Sequence, residues 1–464
     1  MRILATIALM VVLGGPLGLL GQSQDENWKQ CKGDDPERSI EGCSALIQSG
    51  QKIGISLATA FYDRGLAYAH KGDYDRAIQD YDKTLKLSPT FANAYSSRGA
   101  AYARKGDYDH AFQDYDGALR LNPNLANTLY DRGLAYAHKG DYGHAIGDYD
   151  QALRLNPRLA NAFYGRGLAY EHKGNYDRAI QDYDQALRIN PNYADTLVER
   201  GNAFRRKGDS DHAIQDYDQA LRLNPDFWDV FYGRGRVYAN KGNYDPAIQD
   251  FDQALRLNPN SAEALVMRGL AHTQKGDYDR AVQDFDQAIQ LKPDSAAAFY
   301  DRARAYEYKG DYGRAIQDYD EALRLNPSDA DALYGRGSAL WHKHYYDAAL
   351  QDYDRALQFN PTHIQAFNAR GVEYARRGDY DRAIQDYDQA IRINGRWAYP
   401  FHNRSLAYAH KAEYLRAMAD GGHFVWLRFG VLGITIRVFL VALALVLGLA
   451  LKWFRRGRAL GQHP

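Results

Sequence analysis

Ala60-Phe61-Tyr62-Asp63-Arg64-Gly65-Leu66-Ala67-Tyr68-Ala69-His70, then Lys71-Gly72-Asp73, then Tyr74 to Leu87, closed by Ser88-Pro89, is the stretch that decides the fold. Phe61, Gly65 and Tyr68 stand at i, i+4 and i+7, so they share one face of a helix. Gly72 supplies a left-handed C-cap, and Asp73 can cap the next helix. Tyr74, Ala77, Ile78, Tyr81 and Leu85 form the apolar stripe of that second helix, which Leu87-Ser88-Pro89 stops. Small Gly65 and Ala77 let the two helices approach closely. A single pair of this kind cannot bury both faces, so it must stack on copies of itself.

The copies are present. Proline recurs every 34 residues from Pro89 to Pro361, and alanine keeps the same step from Ala77 to Ala417. Ten full copies fill 58–397, and an eleventh starts at Ala398. The period, with Gly65, Tyr68, Ala77, Tyr81 and Pro89 in phase, resembles the tetratricopeptide-repeat (TPR) family. The resemblance implies an all-α, right-handed superhelical solenoid of about eleven helix-turn-helix units. It also implies a concave face, lined by the first helix of each unit, that takes extended peptides or partner helices. One departure is regular. The family often has leucine before the glycine; here arginine stands there in every copy, from Arg64 and Arg98 to Arg404. Aspartate is as regular in the second helix, from Asp80 and Asp114 to Asp420. The guanidinium fork suits a carboxylate, so the expectation is an internal Arg–Asp ladder that fixes helix-pair register.

Binding specificity belongs where the copies differ. The fifth residue of the unit, on the family's ligand face, is Tyr62, Tyr130, Tyr164, Tyr232, Tyr300 and Tyr334 in six copies. Rigid tyrosines bind partners at low entropic cost, and they serve equally to pack neighbouring helices. Asn202, Arg205, Arg206 and Arg236 replace the usual Leu, Ala or His and suggest a site for an acidic peptide or anionic glycan. No copy has lysine at its fifth position, so the Lys–Asn clamp of chaperone-tail binders is not carried over. His70, His138, His172, His342 and His410 share one position, but stacked helices lie about 10 Å apart, too far for one metal ion. No P-loop, Rossmann fingerprint or Gly-x-Ser-x-Gly elbow occurs. The reading is a non-enzyme without cofactor or metal.

The ends carry the expected location. Lys+Arg and Asp+Glu number 58 each, so nothing favours a general nucleic-acid binder. Residues 1–23 read as a signal peptide or an N-terminal anchor, with Arg2 before the apolar run Ile3 to Leu13. Residues 24–57 read as a capping segment; Asp35-Pro36 starts a helix, and Cys31 and Cys43 are expected to form a disulfide in an oxidising compartment. The solenoid is assigned to 58–420, with the eleventh copy cut short by a hinge at Gly421-Gly422. Residues 429–454 contain the unbroken apolar run Val438 to Leu451 and read as a transmembrane helix. The basic tail 455–464 is then cytoplasmic and the repeats periplasmic, on a single-pass protein of the bacterial inner membrane. The function expected is a membrane-anchored scaffold for a protein or peptide of the cell envelope. Two alternatives stand: a binder of envelope glycan or another anionic ligand, and a non-catalytic subunit of a membrane enzyme complex.

Overall fold

The computed structural model describes residues 25–50 and 52–429. The leader expected over 1–23 and the apolar segment and basic tail expected beyond Phe429 lie outside those residues. Among the described residues every regular element is a helix, and none is long and apolar enough to cross a membrane. The chain divides into two compact units, Met1–Gly233 and Arg234–Pro464.

The first unit opens with a helical hairpin. A helix over 25–31 is followed by Pro36–Gln48, where the Asp35 side chain accepts from the backbone N–H of Glu37 and Arg38. A Cys31–Cys43 disulfide joins the two. Cys31, Cys43 and Leu46 are buried against Ala60 of the first copy, and Arg64 Nη1 donates to Ser44 Oγ at 3.0 Å.

The helix pairs follow from local chemistry. In the first copy, Gly54–His70 ends at Gly72, whose φ is +77°. Tyr74–Leu87 begins under the Asp73 cap, which accepts from the Arg76 N–H at 3.1 Å. The Tyr81 ring, wholly buried, lies against Gly65, where an added Cβ would come within 2.6 Å of it. That close approach is why glycine holds the position. Copies then stack: Leu66, Tyr74 and Ile78 of the first copy pack on Ala101 and Tyr102 of the second. The same set recurs in the second unit, where Val372, Tyr380 and Ile384 meet Ala407 and Tyr408.

The Arg–Asp ladder is present and has a rung that the sequence reading did not anticipate. Arg166 donates from Nε and Nη2 to Asp182 of its own copy, at 2.8 and 2.6 Å. Its Nη1 reaches back to Asp150 of the preceding copy at 2.5 Å. In the second unit Arg302 does the same with Asp318 and Asp286. Arg166 and Arg302 thus each fix their own helix pair and tie it to the one before. Burial lifts the Asp182 and Asp318 carboxyls above the usual range, even against the arginine.

The expected break at Gly421-Gly422 does not occur. Tyr414–Phe429 is one continuous helix through both glycines. Interactions on either side hold them helical: Arg404 clamps Asp420, His423 stacks on Phe401 at 5.2 Å and Phe424 packs on His402 at 4.7 Å. These offset the roughly 1 kcal/mol that each glycine costs a helix.

Candidate functional site

All six fifth-position tyrosines, Tyr62, Tyr130, Tyr164, Tyr232, Tyr300 and Tyr334, are half-buried on the first helices. Five of them pack on the aromatic residue of their own second helix, as Tyr62 on Tyr81 at 5.9 Å and Tyr300 on Tyr319 at 5.9 Å. Three also meet the last residue of their own copy: Tyr62 on Phe91, Tyr164 on Tyr193 and Tyr334 on His363, at 4.9, 5.2 and 5.1 Å. Burial raises the Tyr62 and Tyr334 hydroxyls and pushes Tyr300 up to about 12, so these stay protonated.

The basic patch expected at Asn202, Arg205 and Arg206 is a mixed network of arginine, amide, tyrosine hydroxyl and carboxylate groups. Arg206 pairs with Glu171 at 3.4 Å. Asn202 donates to Glu199 at 3.1 Å and accepts from the Tyr217 hydroxyl at 2.8 Å. Glu171 also accepts from Tyr183 at 3.1 Å. The Glu199 carboxyl is raised by burial first, then by Glu171, Asp229 and Asp195 nearby. Glu171 thus offsets the charge of Arg206, and Glu199 adds a second carboxyl to the group. Arg205 holds its Nε buried without a partner. Arg236, half-buried, belongs to the second unit.

The second unit carries a related group that the sequence reading missed. Glu307 accepts from the Tyr319 hydroxyl at 2.9 Å and from Ser338 Oγ at 2.7 Å. Arg304, between the Tyr300 and Tyr308 rings, donates to Tyr308 Oη at 2.9 Å. Trp341 places a buried, unpartnered indole N–H in the same pair of copies. Beside Arg304, burial pushes the Asp301 carboxyl up to about 6. A signal existed: Glu171 and Glu307 occupy one repeat position, four copies apart, where Ala69, Ala103 and Ala137 stand elsewhere. In the third copy, which has that alanine, the Tyr149 hydroxyl is buried without a partner.

The shared histidines pack. His172, His342 and His410 stack on Tyr142, Tyr312 and Tyr380 of the preceding copy, at 4.6, 4.4 and 4.9 Å. Among the described residues no three His, Cys, Asp or Glu side chains gather as a metal site.

Family models described as tetratricopeptide repeat match residues 99–162, 160–193, 198–261, 240–296, 300–364 and 364–396. Another, described as TPR repeat, matches 65–106. No curated protein matches the chain. Among solved structures, yeast Tom70 is 17% identical over 85% of this chain and 96% of its own, with a TM-score of 0.43. A tetratricopeptide repeat protein from Parabacteroides merdae is 23% identical over 53% of this chain and 98% of its own, at 0.43. YrrB, a TPR protein with an unusual peptide-binding site, is 26% identical over 40% of this chain and 97% of its own, at 0.37. Likenesses at these scores carry nothing finer than the stacked helix pairs already described.

Proposed function

The chain belongs to the tetratricopeptide-repeat family, and from that premise we propose that it is a non-catalytic scaffold that holds an extended segment of a partner protein on its first helices. The carrying observation is the group Arg304, Glu307 and Ser338, at positions where the repeat otherwise offers mostly Leu and Ala: Ser338 of the ninth copy donates to Glu307 of the eighth, while Arg304 and Glu307 are held by Tyr308 and Tyr319 of their own copy. A donor fork beside a fixed carboxylate suits the alternating carbonyl and N–H groups of an extended backbone. The anionic-ligand alternative loses support, since Arg206 is engaged by Glu171.

We place the repeats outside the cytoplasm, with the apolar segment 429–454 spanning the inner membrane and the tail inside. The run Val438 to Leu451 and the basic residues after it support this topology. The partner is then a protein of the cell envelope.

Affinity purification of the full chain from detergent extracts tests the scaffold. The Arg304→Gln/Glu307→Gln double variant removes both charges and leaves polar side chains; it should release the bound partner, while Glu321→Ala on the exposed second helix should not. Equal recovery with both variants overturns the assignment of this face. Alkaline phosphatase fused after Ala398 should be active and after Pro464 inactive; the opposite result rejects the topology.

A further inference from the structure

The eleventh copy ends the described solenoid with its stacking face open. In the first and fourth copies Ile78 and Ile180, each 8% exposed, are covered by the Ala–aromatic pair of the next copy, Ala101-Tyr102 and Ala203-Phe204. Their eleventh-copy equivalent, Met418, is 47% exposed. Leu406, Tyr414 and Leu415, on the same helix pair, are 50%, 65% and 85% exposed. A terminal repeat in water needs a polar outer face, and this one is apolar.

Leu415 narrows what can cover it. Its equivalents are aspartate or glycine in every other copy. Aspartates at this position pair with a lysine or arginine of the following copy, as Asp279 with Lys309 and Asp347 with Arg377. Leucine at 415 removes that pairing and puts an exposed apolar side chain where every other copy carries aspartate or glycine. The start of a second molecule is closed to it: Cys31, Cys43 and Leu46 already cover Ala60 of the first copy.

We propose that this open face, Leu406, Tyr414, Leu415 and Met418, docks on the headgroup–acyl boundary of a lipid bilayer. The inference rests on the membrane topology proposed above. Only eight residues of sequence separate Phe429 from the apolar run that begins at Val438. Even fully extended they span about 30 Å, so the eleventh copy is held at the membrane surface. Leucine and methionine supply the buried apolar area, and tyrosine has the amphipathic ring that interfaces favour. The final helix then lies along the surface, which fixes how the repeats are presented instead of leaving them on a free tether.

The test uses the full chain in phosphatidylcholine–phosphatidylglycerol vesicles. Cys31 and Cys43 are joined, so one added cysteine takes an environment-sensitive fluorophore. Three variants are labelled: Leu415→Cys, Gly313→Cys at the equivalent position of the eighth copy, and Ala442→Cys in the apolar run. Quenching by lipids spin-labelled near the headgroup should reduce emission at least twofold at 415, and leave 313 unchanged. Quenching at 442 but not at 415 overturns the docking while the membrane reading stands. At 442, mid-span, the quencher is a lipid spin-labelled deep in the acyl chain, and no quenching there defeats the membrane reading itself. A label at 415 that is shielded in detergent and indifferent to lipid quencher points to the chain's own downstream segment; one that self-quenches with protein density points to a second copy. Either result overturns the proposal.

Discussion

Removing Arg302 should cost far more than removing its outer contact, Asp286, because of what it leaves behind. Arg302 holds Asp318 by two bonds, at 2.8 and 2.6 Å, and Asp286 by one at 2.5 Å. The Asp318 side chain is 8% exposed and the Asp286 side chain 44%. Arg302→Met strands a buried carboxylate, a loss of about 3–5 kcal/mol. Asp286→Asn breaks a half-exposed pair worth about 0.2–1 kcal/mol. Arg302→Met with Asp318→Leu replaces the buried pair by apolar groups and should recover most of the loss. In a repeat array the effect is local, so the assay is hydrogen exchange followed by mass spectrometry on peptides from the eighth copy. The arginine variant should speed exchange there by about 10²–10³-fold, and the Asp286 variant by less than about 10-fold, at roughly 1.4 kcal/mol per decade. Equal effects from Arg302→Met and Asp286→Asn, or no recovery in the double variant, would refute the claim that burial of Asp318 sets the energetics.

Three further outcomes follow from the same geometry. Asp301 sits at about 6 in the folded chain against about 3.9 unfolded, so its contribution to stability is full below about pH 4 and lost as pH rises through 6. Urea unfolding should show Asp301→Asn stabilised by at most roughly 3 kcal/mol at pH 7 and by little at pH 4; no pH dependence would mean an ordinary carboxyl. Ala412, at φ 60°, occupies a turn where most copies have glycine, and Ala412→Gly should slow exchange in Tyr414–Phe429 by a factor matching about 1 kcal/mol. Gly335→Ala would set a Cβ 2.5 Å from the Tyr319 ring, whereas a Cβ at Gly147 meets nothing; thermal or urea unfolding should find the first about 1–3 kcal/mol worse and the second about 0.5–1 kcal/mol better.

The sequence alone determined the unit and its stacking, because both are written in short separations. Phe61, Gly65 and Tyr68 share a face by helical geometry, and Gly72 and Asp73 set the turn. The Arg–Asp pairing within a unit was legible for the same reason: one residue type recurs at one distance along the chain. What the tertiary structure decided depends on which neighbour arrives first at a shared surface. Asp80 and Asp82 flank the same tyrosine, yet Asp80 serves Arg64 of its own copy and Asp82 serves Arg98 of the next. Both separations are 16 residues, in opposite directions, so spacing could not divide them. Arg206 reads as a free cation until Glu171 of the preceding copy is set beside it. Gly421-Gly422 reads as a break, but Phe401 and His402 on the paired helix offer rings that stack on the residues just beyond. The exposure of Leu415 and Met418 is likewise invisible in a repeat pattern, because the pattern supplies a stripe and only the assembled stack shows that nothing among the described residues covers it.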